Sequence, residues 1–202
     1  MGLLGLIRKL QKSDNEARIL VLGLDNAGKT TILKTLSEES IETITPTQGF
    51  NIKSLVRHAL DQPGPRRLQT QRLGHRRPEV HPTLLEELLR QHRRTRECPL
   101  TQVFVIDSAD KTRVEECEEE LHSLISEEKL KNVPLLIFAN KQDMTFALSC
   151  ETVSARLTQL VEKLKLASIE ERVWSIQACS AVTKEGLQDG MEWLVKTISS
   201  KK

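Results

Sequence analysis

The residues of this chain whose types and spacing are best suited to chemistry are Gly23, Leu24, Asp25, Asn26, Ala27, Gly28, Lys29 and Thr30. They spell G-x-x-x-x-G-K-[ST] between Arg18–Leu22, an apolar run rich in branched residues, and Thr31–Leu36, whose apolar residues fall at helical spacing. A strand, this loop and a helix together form the context in which the pattern cradles phosphate. Gly23 and Gly28 permit the tight turn and put no side chain in the way, so successive N–H groups can converge on an anion. The helix that follows, with Thr31 in its first turn, offers free N–H groups and the positive end of its dipole. Lys29 would bring charge to the terminal phosphates and Thr30 a hydroxyl to Mg2+.

A second constellation is Asn140, Lys141, Gln142 and Asp143, placed directly after the apolar run Val133–Ala139. A carboxylate at Asp143 can accept two donors from a guanine edge, N1–H and the 2-amino group. Adenine lacks that pair and would leave the carboxylate unsatisfied, so the site would discriminate. Asn140 and Lys141 would brace the base and the loop. Ser180 and Ala181 follow a further apolar strand, and the Ala181 N–H would meet the guanine oxygen. In Ile44–Ile52, Pro46 and Gly49 predict a loop running into a strand. There Thr47 is a candidate second hydroxyl for Mg2+ and the γ-phosphate.

The elements that must position these groups are legible from periodicity. Arg18–Leu22, Val103–Asp107, Val133–Ala139 and Val173–Ala178 read as buried strands, and Lys111–Lys131 and Leu187–Ile198 as helices. Strands alternating with helices predict a mainly parallel sheet covered on both faces. Ligands of such sheets sit outside the carboxyl ends of the strands, where all three motifs fall.

Bulk composition narrows the setting. The 202 residues make one domain, or one domain with an appended segment; a net charge of +2 and 38% hydrophobic residues allow a globular core, for which 3% aromatics is low. Cys98, Cys117, Cys150 and Cys179 have neither metal-ligand spacing nor a disulfide framework, which suggests a reducing compartment. No apolar run reaches membrane-spanning length and no secretory leader is evident, so a cytoplasmic chain is expected. Residues 1–16 are read as an N-terminal amphipathic helix, with Leu3, Leu6, Ile7 and Leu10 on one face and Arg8, Lys9 and Lys12 on the other. Such a helix could lie on a membrane surface or pack on its own domain. Gly2 is a candidate for lipidation, although Leu6 stands where that motif asks for Ser or Thr.

The segments Gly23–Thr30, Thr45–Ile52, Val105–Asp110, Ala139–Asp143 and Cys179–Ala181 together resemble the Arf and Arf-like small GTPases. The resemblance implies a P-loop small-GTPase fold and a GDP/GTP switch with Mg2+ held by Thr30 and Thr47. It also implies a guanine site at Asn140, Lys141 and Asp143. It further implies effectors that handle lipidated cargo, exchange factors and GTPase-activating proteins. Peripheral membrane association at Golgi, cilium or cytoskeleton, a monomeric state and no nucleic-acid partner are expected with it. A nucleoside-phosphate kinase would use the same phosphate loop, but the guanine motif argues against it.

The GTP-binding domain, residues 17–202, is interrupted at 55–102, where the likeness ends. The family carries there a strand ending in Trp-Asp-Ile-Gly-Gly-Gln, whose Gln orients the attacking water. This chain instead has ten Arg, no Lys, four of its five His and five of its seven Pro across those residues. An irregular basic segment is therefore expected in place of the switch strand and helix, with the sheet losing a member and hydrolysis and switching impaired. Its Arg content also admits a pseudo-GTPase whose insert binds an acidic partner or RNA. A third reading is genetic. The family-like stretch Phe-Lys-Leu-Asn-Val-Trp-Asp-Ile-Gly-Gly-Gln, back-translated with synonymous codons and read one base early, yields residues 68–78 of this chain. Pro-Tyr-Trp-Lys-Asn-Tyr-Phe-Asp-Asn-Thr, treated alike, yields residues 83–92. Residues 68–93 thus read as a frame-shifted copy of a switch region, and the amphipathic pattern at Thr83–Arg90 as an accident of it.

Overall fold

The computed structural model describes residues 17–36, 41, 50–55, 69–73, 100–144, 153–169 and 172–200. The N-terminal helix with Gly2, the loop bearing Thr47 and the pattern at Thr83–Arg90 lie outside them.

Six strands form one sheet: β1 (Ala17–Leu22), β2 (Phe50–Leu55), β3 (Gln69–Leu73), β4 (Leu100–Asp107), β5 (Leu135–Asn140) and β6 (Trp174–Ala178). Their order is β3-β2-β1-β4-β5-β6. The β1–β4, β4–β5 and β5–β6 pairs are parallel, whereas β2 runs antiparallel to both β1 and β3. Four helices are described: α1 (Lys29–Leu36), α2 (Val114–Ile125), α3 (Val153–Lys163) and α4 (Leu187–Ser200). Among the described residues none is long and apolar enough to cross a membrane.

Alternate residues along each central strand serve different layers, as the two-residue repeat of a strand requires. Leu20, Leu22, Phe104, Ile106, Leu135 and Ile137 pack with Leu121, Leu124 and Leu164. Ile19, Val21, Val103, Val105, Leu136 and Phe138 pack with Ile32, Leu33, Leu187, Met191 and Leu194. Burial on both faces explains why these strands read as unbroken apolar runs. The scarce aromatics are well used: Phe104 and Phe138 are fully buried, one in each layer. On α4, Gly190 permits close approach, since a Cβ there would lie 2.5 Å from Phe138 Cε1.

The sheet departs from expectation in two places. Gln69–Leu73, expected to be irregular, forms the edge strand, pairing from Phe50↔Leu73 to Ser54↔Gln69. The sheet therefore keeps the member it was expected to lose. An edge strand needs only main-chain hydrogen bonds to one neighbour, which any sequence free of Pro and Gly can make, and Gln69–Leu73 holds neither. None of the segment's five Pro lies within a described strand. Likewise β4 starts at Leu100, not Val103, so its first residues enter the heart of the sheet opposite Arg18–Leu20. Thr101 and Gln102 are fully buried there. Gln102 Oε1 accepts from Arg172 Nη1 at 2.8 Å, whereas Gln102 Nε2 has no partner among the described residues. An orphaned buried amide is costly, and it marks Gln102 as a polar side chain in an apolar slot. The predicted helix Lys111–Lys131 divides into α2 and a short 3-10 turn at Glu128–Leu130.

Candidate functional site

The loop after β1 has the backbone its sequence foretold. Gly23 has φ +123° and a Cβ there would lie 2.1 Å from Val105 O. Gly28 has φ +96° and a Cβ there would lie 2.2 Å from Asn140 Nδ2. Only glycine tolerates both the dihedral and the contact. Between them Asn26 is left-handed, with φ 59°, a conformation Asn accepts more readily than most residues. Thr30 and Thr31 lie in the first turn of α1.

Lys29 folds back over this loop, its Nζ donating to Gly23 O at 2.7 Å and Leu24 O at 2.5 Å. Burial, only partly offset by the Asp25 carboxylate, lowers its pKa to about 8. A partly buried cation folded over a glycine-bounded loop ahead of a helix suits a phosphate anion, so the residues fit the nucleotide phosphates their sequence implies.

Asn140, at the end of β5, joins two of the motifs. Its Nδ2 donates to Ala27 O at 2.8 Å and its Oδ1 accepts the Ala181 N–H at 2.9 Å. The side chain is 1% exposed. The structure therefore brings the phosphate loop and the Ser180–Ala181 loop together through one amide. Thr35 on α1 adds a buried hydrogen bond to Ala181 O at 3.0 Å. The Ala181 N–H, expected to face a guanine oxygen, here donates to Asn140 Oδ1. A buried amide oxygen is the nearest acceptor, and leaving it unpaired would be unfavourable.

Lys141 adopts φ 67° and its Nζ pairs with Asp107 Oδ2 at 2.7 Å. Asp107, at the end of β4, also accepts the Ala109 N–H at 3.0 Å. Lys141 thus braces the loop after β4, and Asp143 stands exposed beyond it. In the facing loop the Ser180 hydroxyl accepts the Thr183 N–H at 3.1 Å. Buried Cys179, with the Asp143 carboxylate nearby, has its thiol pushed up to about 12. Buried Cys117 is pushed up to about 12 as well. Both are free thiols and stay protonated, in keeping with a sequence that gave them neither metal nor disulfide spacing.

Sequence reasoning assigned no role to Arg113, whose guanidinium reaches across to the phosphate loop. Its Nη1 lies 2.7 Å from Asp25 Oδ1, its Nη2 donates to Asp25 O at 3.2 Å, and its Nε donates to Asp110 Oδ2 at 2.7 Å. Hydrogen bonds from Thr112 and Arg113 hold the Asp110 carboxyl down at about 2. The available signal was Asp110 just ahead of Thr112 and Arg113 at a predicted helix start.

A mainly parallel sheet with a glycine-bounded phosphate loop after β1, and an Asn-Lys-Gln-Asp turn after β5, defines a P-loop nucleotide-binding protein of the small-GTPase type. The profile of the ADP-ribosylation factor family matches residues 3–62 and 86–198, passing over 63–85. The chain is similar to ADP-ribosylation factor-like protein 3 of Chlamydomonas reinhardtii, with 49% identity over 198 residues, covering 98% of this chain and 99% of that protein. It is similar also to ADP-ribosylation factor-like protein 3 of Caenorhabditis elegans, with 42% identity over 199 residues, covering 98% and 97%. The chain belongs to the ADP-ribosylation factor family of small GTPases. Proteins of that family bind guanine nucleotides, generally with Mg2+.

Proposed function

We propose that this chain binds GDP and GTP through Gly23–Thr31, with Lys29 on the phosphates, Thr30 and Thr47 holding Mg2+, and Asp143 reading guanine. Asn140, Lys141, Ser180 and Ala181 shape the base site. The observation that carries the reading is Asn140, one buried amide at the end of β5 that ties the phosphate loop after β1 to the base-side loop after β6. On this reading the protein is a nucleotide-dependent switch controlling membrane trafficking or release of lipidated cargo through effectors. Residues 1–16, with Gly2 a candidate acylation site, meet the membrane surface, and the chain works in the cytoplasm and at Golgi or ciliary membranes.

Residues 55–102 lack the Trp-Asp-Ile-Gly-Gly-Gln segment whose Gln orients the attacking water and whose Gly meets the γ-phosphate in the family. The chain as it stands is therefore expected to bind nucleotide but hydrolyse and switch poorly. Single-turnover hydrolysis of pre-loaded GTP tests this. Release of phosphate far slower than by the Chlamydomonas relative supports the reading, and equal rates refute the deficiency.

The gap in the family match at 63–85 favours a second reading, a pseudo-GTPase whose Arg-rich segment docks an acidic partner or RNA. Binding to RNA or polyglutamate that falls steeply with salt and is lost when the arginines between 66 and 96 are neutralised would favour it.

A further inference from the structure

Among the described residues, the side chains of Lys29, Asn140 and Arg113 each grip a carbonyl of the phosphate loop, and Arg113 lies outside its recognised motifs. Lys29 holds the Gly23 and Leu24 carbonyls, and Asn140 holds the Ala27 carbonyl. The tip, Asp25, is held from outside by Arg113. Its guanidinium takes both the Asp25 carboxylate and the Asp25 main-chain carbonyl. The fork is itself fixed before it reaches the loop. Nε is bound to Asp110 Oδ2, and Asp110 Oδ1 accepts the Thr112 N–H, the Thr112 hydroxyl and the Arg113 N–H. Arg113 is 29% exposed at its side chain and Asp25 70%, so solvent screens the ion pair in part. The carbonyl contact matters more for geometry. A trans peptide is planar, with its C=O and N–H pointing opposite ways. Holding the Asp25 carbonyl therefore fixes the direction of the Asn26 N–H, at the left-handed residue in the middle of the cradle.

We propose that Arg113 is a positioning residue for the phosphate loop, which by gripping Asp25 fixes the Asn26 N–H and slows release of the bound guanine nucleotide. The inference rests on the reading of this loop as a guanine-nucleotide phosphate site. Arg113 also sets its charge beside Lys29, where it counters the Asp25 carboxylate, so the loop tip presents less negative charge to an incoming phosphate. Lysine is not an equivalent replacement. A single ammonium cannot span Asp110, the Asp25 carboxylate and the Asp25 carbonyl as a planar fork does.

The test is the dissociation rate of a fluorescent GDP analogue from the full chain with Mg2+ present, measured by chase with unlabelled GDP alongside thermal melts. Arg113→Met is expected to release nucleotide about three- to tenfold faster, the scale of a partly exposed charge-assisted pair. Arg113→Lys should fall between it and the parent. Asp25→Asn keeps an acceptor and the carbonyl, so it should be the milder single change. Combined with Arg113→Met it should add nothing, because the grip is already gone. Raising salt should quicken release from the parent and leave Arg113→Met unmoved. A lowered melting temperature with an unchanged release rate would show that Arg113 serves only the start of α2, and would overturn the proposal. So would additive effects in the double variant. If the parent chain binds no guanine nucleotide, the underlying reading fails; if the parent binds and the variants release at its rate, only the role of Arg113 fails.

Discussion

Replacing Asn140 by Ala should be among the most damaging single changes at the site, although Asn140 is a polar residue at the end of a strand. The side chain is 1% exposed and makes two short hydrogen bonds, one donated to Ala27 O and one accepted from the Ala181 N–H. Removing it leaves a buried carbonyl and a buried N–H without partners, each loss worth about 1–3 kcal/mol. The sum is about 2–6 kcal/mol, or a fall in melting temperature of roughly 4–24 °C for a domain of this size. Calorimetric or dichroism melts of the full chain would read it. Asn140→Asp sharpens the argument. It keeps an acceptor for Ala181 but turns a carboxylate oxygen toward the Ala27 carbonyl, so at neutral pH it should be no better than Ala and should recover as the acid protonates. Lys141→Ala removes a partly exposed ion pair with Asp107 and should cost about 1 kcal/mol or less. A shift below about 2 °C for Asn140→Ala, or one equal to that of Lys141→Ala, would refute the view that this amide holds the loops together.

Three further outcomes follow from the same geometry. Gly190→Ala should destabilise by about 1–3 kcal/mol through overpacking, because its Cβ would sit 2.5 Å from Phe138 Cε1; Gly190→Ala with Phe138→Leu should recover part of it in chemical denaturation. Lys29 has a folded pKa of about 8 against 10.5 unfolded, so the unfolded chain binds the extra proton between those values and stability rises with pH across that window. A phosphate beside Lys29 should restore its proton, so nucleotide binding at pH 8.5 takes up protons, seen as a dependence of calorimetric heat on buffer; no uptake would contradict it. Asp110 has a folded pKa of about 2 against 3.8, so its contribution is present above 3.8 and is lost as pH falls through 2. The stability difference between the parent and Asp110→Asn should therefore shrink over that acid range.

The phosphate loop was legible because its chemistry is backbone chemistry: two glycines forced by contact with Val105 O and Asn140 Nδ2 leave a local mark in sequence. The core strands were legible because burial on both faces leaves unbroken apolar runs. Boundaries were less so. Leu100–Gln102 carries polar residues, and only pairing with β1 reveals that it belongs to β4. Gln69–Leu73 has no apolar signature either, since an edge strand is specified by its neighbour's free main-chain groups. The double duty of Asn140 and the reach of Arg113 to Asp25 join residues far apart in the chain. Periodicity records which face a residue occupies, not which distant carbonyl it meets.

The central claim is guanine-nucleotide binding through these strand-end motifs, and competition for the full chain's nucleotide site tests it most directly. With a fluorescent GDP analogue bound in the presence of Mg2+, the account predicts that GDP and GTP displace it while ADP and ATP do not, and that Asp143→Ala weakens the preference. Displacement by ATP as readily as by GTP, or no binding of the analogue at all, would contradict it.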